Sequence, residues 1–129
     1  MQLATGGNML NFGLWDKKDT SPIKAQNRLC DLVGKVAELD SAKTLLDIGS
    51  GLSSPAIRWV TSYSDIEILC ININYFQLQA AKNILKEKKS NSAIYEINAT
   101  STMLPFSKKS IERIIALESA QHFKPFEHF

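Results

Sequence analysis

Long apolar runs are missing from this chain of 129 residues. The strongest, Ile68 to Ile71 and Ile114 to Leu117, are four residues each. A membrane-spanning helix needs about 20, so no segment is expected to cross a bilayer. An excess of charge is missing too. Fifteen basic and thirteen acidic side chains leave +2 at neutral pH, too little to imply a nucleic-acid partner. The amino terminus, MQLATGGNML, has neither a basic flank nor a sustained apolar stretch and does not read as a secretory signal. Cysteine is confined to Cys30 and Cys70, in apolar patterns without metal-ligand spacing. No His, Cys or acidic cluster points to a metal, and two buried free thiols in a reducing cytoplasm is the plain expectation. Internal repeats and low-complexity tracts are absent as well. What remains is 44% apolar and 22% charged, the balance of one globular domain or of part of a larger one.

The pattern along the chain alternates helices with short apolar strands. Residues 1–20 carry scattered Phe12, Leu14 and Trp15 among Gly and Asn and read as an irregular arm. Ser21-Pro22 starts a helix, serine as cap and proline in the first turn. Leu29, Leu32, Val33, Val36 and Leu39 recur at helical spacing, which predicts a helix to about Asp40. Thr44 to Ile48 reads as a buried strand stopped by glycine, and Ser54 to Tyr63 as a helix. Ile66 to Ile71 reads as a second strand. From Phe76 or Gln77 to Lys89 the pattern is amphipathic, with a basic end that suits the helix dipole. Ala93 to Ile97 and Ile111 to Leu117 are the third and fourth strands.

Such alternation predicts an α/β fold, a Rossmann-like doubly wound parallel sheet of βαβ units. Ile114 to Leu117 is apolar on both faces, as for an interior strand with helices on each side. An interior strand needs neighbours on both edges. The twelve residues after Leu117 hardly suffice for a crossover and another strand, so the chain reads as a sheet truncated after its fourth strand.

The strongest local motif is LLDIGSG, Leu45 to Gly51, where an acidic residue precedes a glycine turn that feeds a helix. Gly49 and Gly51 permit backbone conformations and close ligand approach that a Cβ obstructs. By itself a two-glycine turn is also an ordinary tight βα loop. Asn72, however, ends the second strand about 20 residues on, where doubly wound folds place a ribose-binding side chain. Asn98-Ala99-Thr100 ends the third strand on the same carboxyl edge, the edge along which ligands of open α/β sheets bind.

Four segments together carry a specific resemblance. LLDIGSGLSSPA (Leu45 to Ala56), ILCININYFQLQAAKN (Ile68 to Asn83), YEINATSTMLPF (Tyr95 to Phe106) and RIIALESAQHF (Arg113 to Phe123) resemble, in order and spacing, the motifs of class I S-adenosylmethionine-dependent methyltransferases. They are closest to the small-molecule, methyltransferase type 11-like branch, and to its N-terminal half only. NFGLW (Asn11 to Trp15) is similar to that branch's aromatic entry segment. The resemblance implies S-adenosylmethionine as cofactor, methyl transfer to an O, N or C atom of a small-molecule acceptor, no metal, and a cytoplasmic location. It divides the chain into an arm, 1–20, and a partial cofactor-binding domain, 21–129.

The residues it implies are these. Asp47, Gly49, Ser50 and Gly51 cradle the methionyl end, and Glu118 lies beside it. Asn72 stands where a carboxylate usually binds the ribose hydroxyls, with Ile73 against adenine and Gln77 as a polar contact. Asn98 accepts from the adenine amine while the Ala99 N–H donates to the ring. His122 is the candidate base for a hydroxyl acceptor; the plainer alternative is a histidine that only bonds its loop. Phe12 and Trp15 form part of a lid, or else an aromatic staple for the arm. Ser53 and Ser54 replace glycines common in the branch, and Asn at 72 and 98 replaces two carboxylates. A charged acceptor strengthens hydrogen bonds, so Asn72→Asp is expected at this level to tighten cofactor binding.

Two other function classes compete. A nicotinamide oxidoreductase would use G-x-G-x-x-G, but Ser54 stands at the third glycine, and the LPF and ES-xx-H segments would go unexplained. A non-catalytic cofactor-binding fragment or partner subunit follows from the missing half of the sheet. Its free edge implies self-association or dependence on a second half.

Overall fold

Described in the computed structural model are residues 7–18, 21–89 and 93–124. The first helix, α1 (Pro22–Val36), is capped by the Ser21 hydroxyl, which accepts from the Lys24 N–H at 3.4 Å, with proline in its first turn. It ends four residues before the predicted limit at Asp40. Glu38 takes a left-handed conformation (φ 53°), and the Leu39 N–H donates back to the Gly34 carbonyl at 3.1 Å. That closure turns Leu39 into the core, where it is buried. Leu39 fits a helical period but reaches the interior from a turn.

The remaining elements are β1 (Thr44–Ile48), α2 (Ser54–Ser62), β2 (Glu67–Asn72), α3 (Tyr75–Lys88), β3 (Ile94–Asn98), β4 (Arg113–Ile115) and a 3-10 turn, Ala120–His122. Strands β2 and β3 each lie one residue later than the apolar pattern predicts, because pairing carries on to Asn72 opposite Asn98. Helix α3 starts one or two residues early: the Asn74 side chain accepts from the Phe76 and Gln77 N–H groups and so nucleates the first turn.

All pairings are parallel, in the order β3-β2-β1-β4. The sheet is Rossmann-like, and its strand order reverses between β1 and β4, the switch point where open α/β sheets form a crevice. One face packs Leu45, Ile68, Cys70, Ile94 and Ile115 against Val33 of α1, Ala56 and Trp59 of α2 and Leu85 of α3. The Trp59 indole donates to the Cys30 carbonyl at 2.9 Å, and Arg58 joins α2 to α1 through both oxygens of Asp31, at 2.6 and 2.7 Å. The opposite face, centred on Leu46, Ile48 and Ile71, is covered by the segment after β3, through Leu104, Phe106 and Ile111, and by Phe123.

The fourth strand differs from expectation. It spans three residues rather than Ile111 to Leu117, and among the described residues it pairs only with β1. Ile115 is buried, whereas Ile114 is 57% exposed. Its apolar composition suits an interior strand, but in the described residues it is an edge.

The arm forms no helix or strand among its described residues, and it is held against α1. Gln26, 1% exposed, donates through Nε2 to the Met9 and Asn11 carbonyls at 3.2 and 2.6 Å. The Leu14 N–H donates to the Ala25 carbonyl at 2.8 Å. Gly13 lies so close to α1 that a Cβ there would meet the Ala25 backbone at 2.7 Å. Residues 1–6 and 19–20 of the predicted arm, and His128, lie outside the described residues. Among the described residues no helix is long and apolar enough to cross a membrane, and no His, Cys, Asp and Glu are grouped to hold a metal ion.

Candidate functional site

The carboxyl ends of β1 and β4 meet at Gly49 and Ser119. Gly49 has φ +75°, and a Cβ there would lie 2.5 Å from the Ser119 Cβ. Ser119 is held in place by donating from Oγ to the Ile48 carbonyl at 2.6 Å. The turn is tied to the next strand as well, since the Gly49 and Ser50 N–H groups both donate to the Ile71 carbonyl, at 2.8 and 3.1 Å.

Two cavities adjoin at this point, sharing Gly49 and His122. The first, about 290 Å³, is lined by Asp47, Gly49, Ser50, Gly51, Gln77, Glu118, Ser119 and His122, and on the arm side by Asn8, Leu10 and Asn11. The second, about 210 Å³, is lined by Gly49, Ile73, Ala99, Thr100, His122 and Phe123. Most residues singled out from the sequence therefore converge on one edge. A larger cavity of about 500 Å³ lies away from it, among the arm, α1 and α2.

Asp47 is 2% exposed, and its Oδ2 has no hydrogen-bond partner. Burial, and then the nearby Glu96 carboxylate, push its carboxyl up to about 7. Glu96 is raised as well, chiefly by burial, with Ser53 and Lys82 acting against the rise. Burial pushes the Cys30 thiol up to about 12 and the Cys70 thiol well above its ordinary range, so neither thiol is a nucleophile near neutrality.

Asn72 and Asn98 line neither cavity. The Asn72 Oδ1 accepts from the Asn74 N–H at 2.9 Å, and its Nδ2 donates to the Gly51 carbonyl at 3.1 Å and to Gln77 Oε1 at 3.0 Å. Backbone partners on both sides fix which end of the amide is which. Asn98 donates from Nδ2 to the Asn72 and Ile73 carbonyls at 2.9 and 3.2 Å, which leaves Oδ1 as its acceptor. Glu118 is occupied too: its Oε2 accepts from the Phe12 N–H at 2.7 Å and so latches the arm to the end of β4. Phe12 and Trp15 line neither cavity. They are 73% and 55% exposed, and the Trp15 indole donates to the Phe12 carbonyl at 2.9 Å.

Comparison with known proteins bears out the fold. No family model matches the chain. The 27-O-demethylrifamycin SV methyltransferase of Amycolatopsis mediterranei is 32% identical over 117 residues, which is 90% of this chain and 42% of that one. The chain is similar to small-molecule methyltransferases. It spans less than half the length of that curated relative. Among solved structures, the [4+2]-cyclase SpnF superposes with TM-score 0.89 at 24% identity, over 98% of this chain and 47% of that one. Coclaurine N-methyltransferase bound to N-methylheliamine and SAH superposes with TM-score 0.77 at 14% identity, over 89% and 34%. At such identities the two structures speak for the fold alone.

Sequence reasoning missed the residues of this site that come from irregular backbone. Leu10 and Asn11 carry no periodicity. Ser119 stands inside a recognised motif, and its small size beside Gly49 is the one signal available.

Proposed function

We propose that this chain forms the cofactor-binding part of an enzyme that transfers a methyl group from S-adenosylmethionine to a small-molecule acceptor. The observation that carries the reading is the meeting of two cavities at Gly49. One is lined by Asp47, Gln77 and Glu118, as the charged amino-acid end of the cofactor requires. The other is lined by Ile73 and Ala99, as a flat adenine requires. A Cβ at Gly49, which both cavities share, would meet the Ser119 side chain, and the unpartnered Asp47 Oδ2 suits a cationic ligand. A cyclase shares the fold, so the reading rests on the site and the curated relative and not on architecture.

When bound, the cofactor supplies a methyl group already activated as part of a sulfonium. The protein's task is alignment and, for a hydroxyl acceptor, proton removal. Gly49, Ser50 and Gly51 shape the floor, and the Ala99 N–H is the donor to adenine, while Asn98, which lines neither cavity, acts indirectly by tying down the Asn72 and Ile73 carbonyls. Asn72 acts indirectly, by bracing Gly51 and Gln77 beneath the ribose. His122, at the junction of the cavities, accepts the acceptor's proton. Phe12 and Trp15 serve the lid by holding the arm whose Leu10 and Asn11 face the cavity. The two free buried thiols fit a reducing, cytoplasmic setting.

Calorimetric titration tests the cofactor. Adenosylmethionine is expected to bind and NAD is not; NAD binding without adenosylmethionine binding overturns the reading in favour of an oxidoreductase.

A second reading, a cofactor-binding subunit that is inactive alone, is favoured by the edge of β4, which no described residue pairs with, and by the exposed Ile114. That edge is expected to be covered by a second copy, a second subunit or a longer chain. Sedimentation and a methyl-transfer assay check this. Self-association with little turnover is the expected result, and a stable monomer with ordinary turnover rules it out.

A further inference from the structure

Parallel register places Asp47, Cys70 and Glu96 side by side on three neighbouring strands, facing the helical layer, with Ile115 on the far side of Asp47. This row puts a buried acid under the cavity floor with an apolar residue on one flank and a thiol on the other. Among the described residues, the titratable or charged groups that bear on it are these. Glu96 on β3 is the second acid, with Lys82 of α3 acting on Glu96. Cys70 and, on α1, Cys30 are thiols raised by burial. Arg58 of α2 is committed to Asp31. Glu118 and His122 line the same cavity. A carboxylate at Asp47 would thus be a buried charge two strands from another acid, with one oxygen unpartnered, an arrangement that costs several kcal/mol unless a cation arrives.

We propose that Asp47 is a proton-linked sensor of positive charge: carrying a proton below neutral pH in the ligand-free chain, it releases that proton to solvent when the cationic end of a ligand enters the cavity. The inference rests on the cofactor reading above and adds to it a selection for charge. Its carboxyl, pushed up to about 7, is mostly protonated a unit below that pH and mostly ionised a unit above. Cation binding therefore grows stronger as pH rises toward 7 and levels off beyond it.

The test is calorimetry in buffers of different ionisation heat. Adenosylmethionine is expected to release close to one proton at about pH 6 and almost none at about pH 8, binding about tenfold more weakly at the lower pH. Methylthioadenosine, which lacks the charged end, is expected to release none. Asp47→Asn is expected to abolish the release, and His122→Gln to leave it. A ligand-free measurement adds a check. Folded Asp47 keeps its proton up to about 7 while the unfolded chain loses it near 3.8, so stability falls as pH rises between those values. Asp47→Asn should reduce that slope, leaving the part that Glu96, raised in the same direction, contributes. Adenosylmethionine binding without proton release, or equal release with methylthioadenosine, overturns the inference and leaves the cofactor reading standing. Failure of adenosylmethionine to bind at either pH overturns both.

Discussion

Replacing Gly49 by valine is expected to cost the chain much of its stability and all measurable cofactor binding. At φ +75° a β-branched residue is a backbone outlier, which costs about 1–3 kcal/mol. The new Cβ would meet the Ser119 Cβ at 2.5 Å, and overpacking of this kind costs about 1–3 kcal/mol more. Ser119 cannot step aside freely, because its hydroxyl is tied to the Ile48 carbonyl at 2.6 Å. A whole domain is stable by only about 5–15 kcal/mol, so the two penalties together are severe. Urea denaturation and calorimetric titration measure the two losses. Gly49→Ala combined with Ser119→Gly should recover the part due to the clash and keep the part due to backbone strain. Wild-type stability and affinity in Gly49→Val would show that the strand ends are not held as described.

Asn72→Asp is expected to weaken both the glycine turn and cofactor binding, the reverse of what charge alone predicts. The new carboxylate would still accept from the Asn74 N–H, but its other oxygen would face the Gly51 carbonyl, now 3.1 Å from a donor. Gln77 can rotate its amide to supply a donor. The Gly51 carbonyl belongs to the backbone and cannot. An acceptor left facing an acceptor costs about 1–3 kcal/mol, more when one is charged. Passed on to the cavity floor, that is about tenfold or more in affinity. Chemical denaturation beside titration tests it, and lowering the pH until the new carboxyl is protonated should restore part of the loss. Tighter binding at unchanged stability would instead vindicate the charge argument.

The reversal at Asn72 shows how far a motif can be read alone. Its place at the end of a strand, in line with Gly49 and Asn98, was legible from spacing. Its three partners lie on the glycine turn, on the loop after β2 and on α3, and a linear pattern carries no such list. Glu118 is similar: the motif places it beside the cavity, while its bond to the Phe12 N–H joins residues 106 apart. The aromatics of the arm were visible as a cluster. That Leu10 and Asn11, not Phe12 and Trp15, face the cavity depends on Gln26 of α1 holding the Met9 and Asn11 carbonyls.

What the amino-acid sequence determined by itself is everything set within a few residues. The Ser21 cap with Pro22, the run Thr44 to Ile48 ending at a glycine turn, and the alternation that demands a parallel sheet all depend on short-range sterics, hydrogen bonding and period. The tertiary structure alone decided where α1 stops, because Leu39 fits the helical period and is buried from a turn. It also decided that β4, among the described residues, is a three-residue edge, because an apolar strand becomes interior only when a neighbour pairs with it. And it decided that Asp47 lies one strand from Cys70 and two from Glu96. Burial and charge proximity are long-range quantities fixed by register, and register exists only once separate strands have come together.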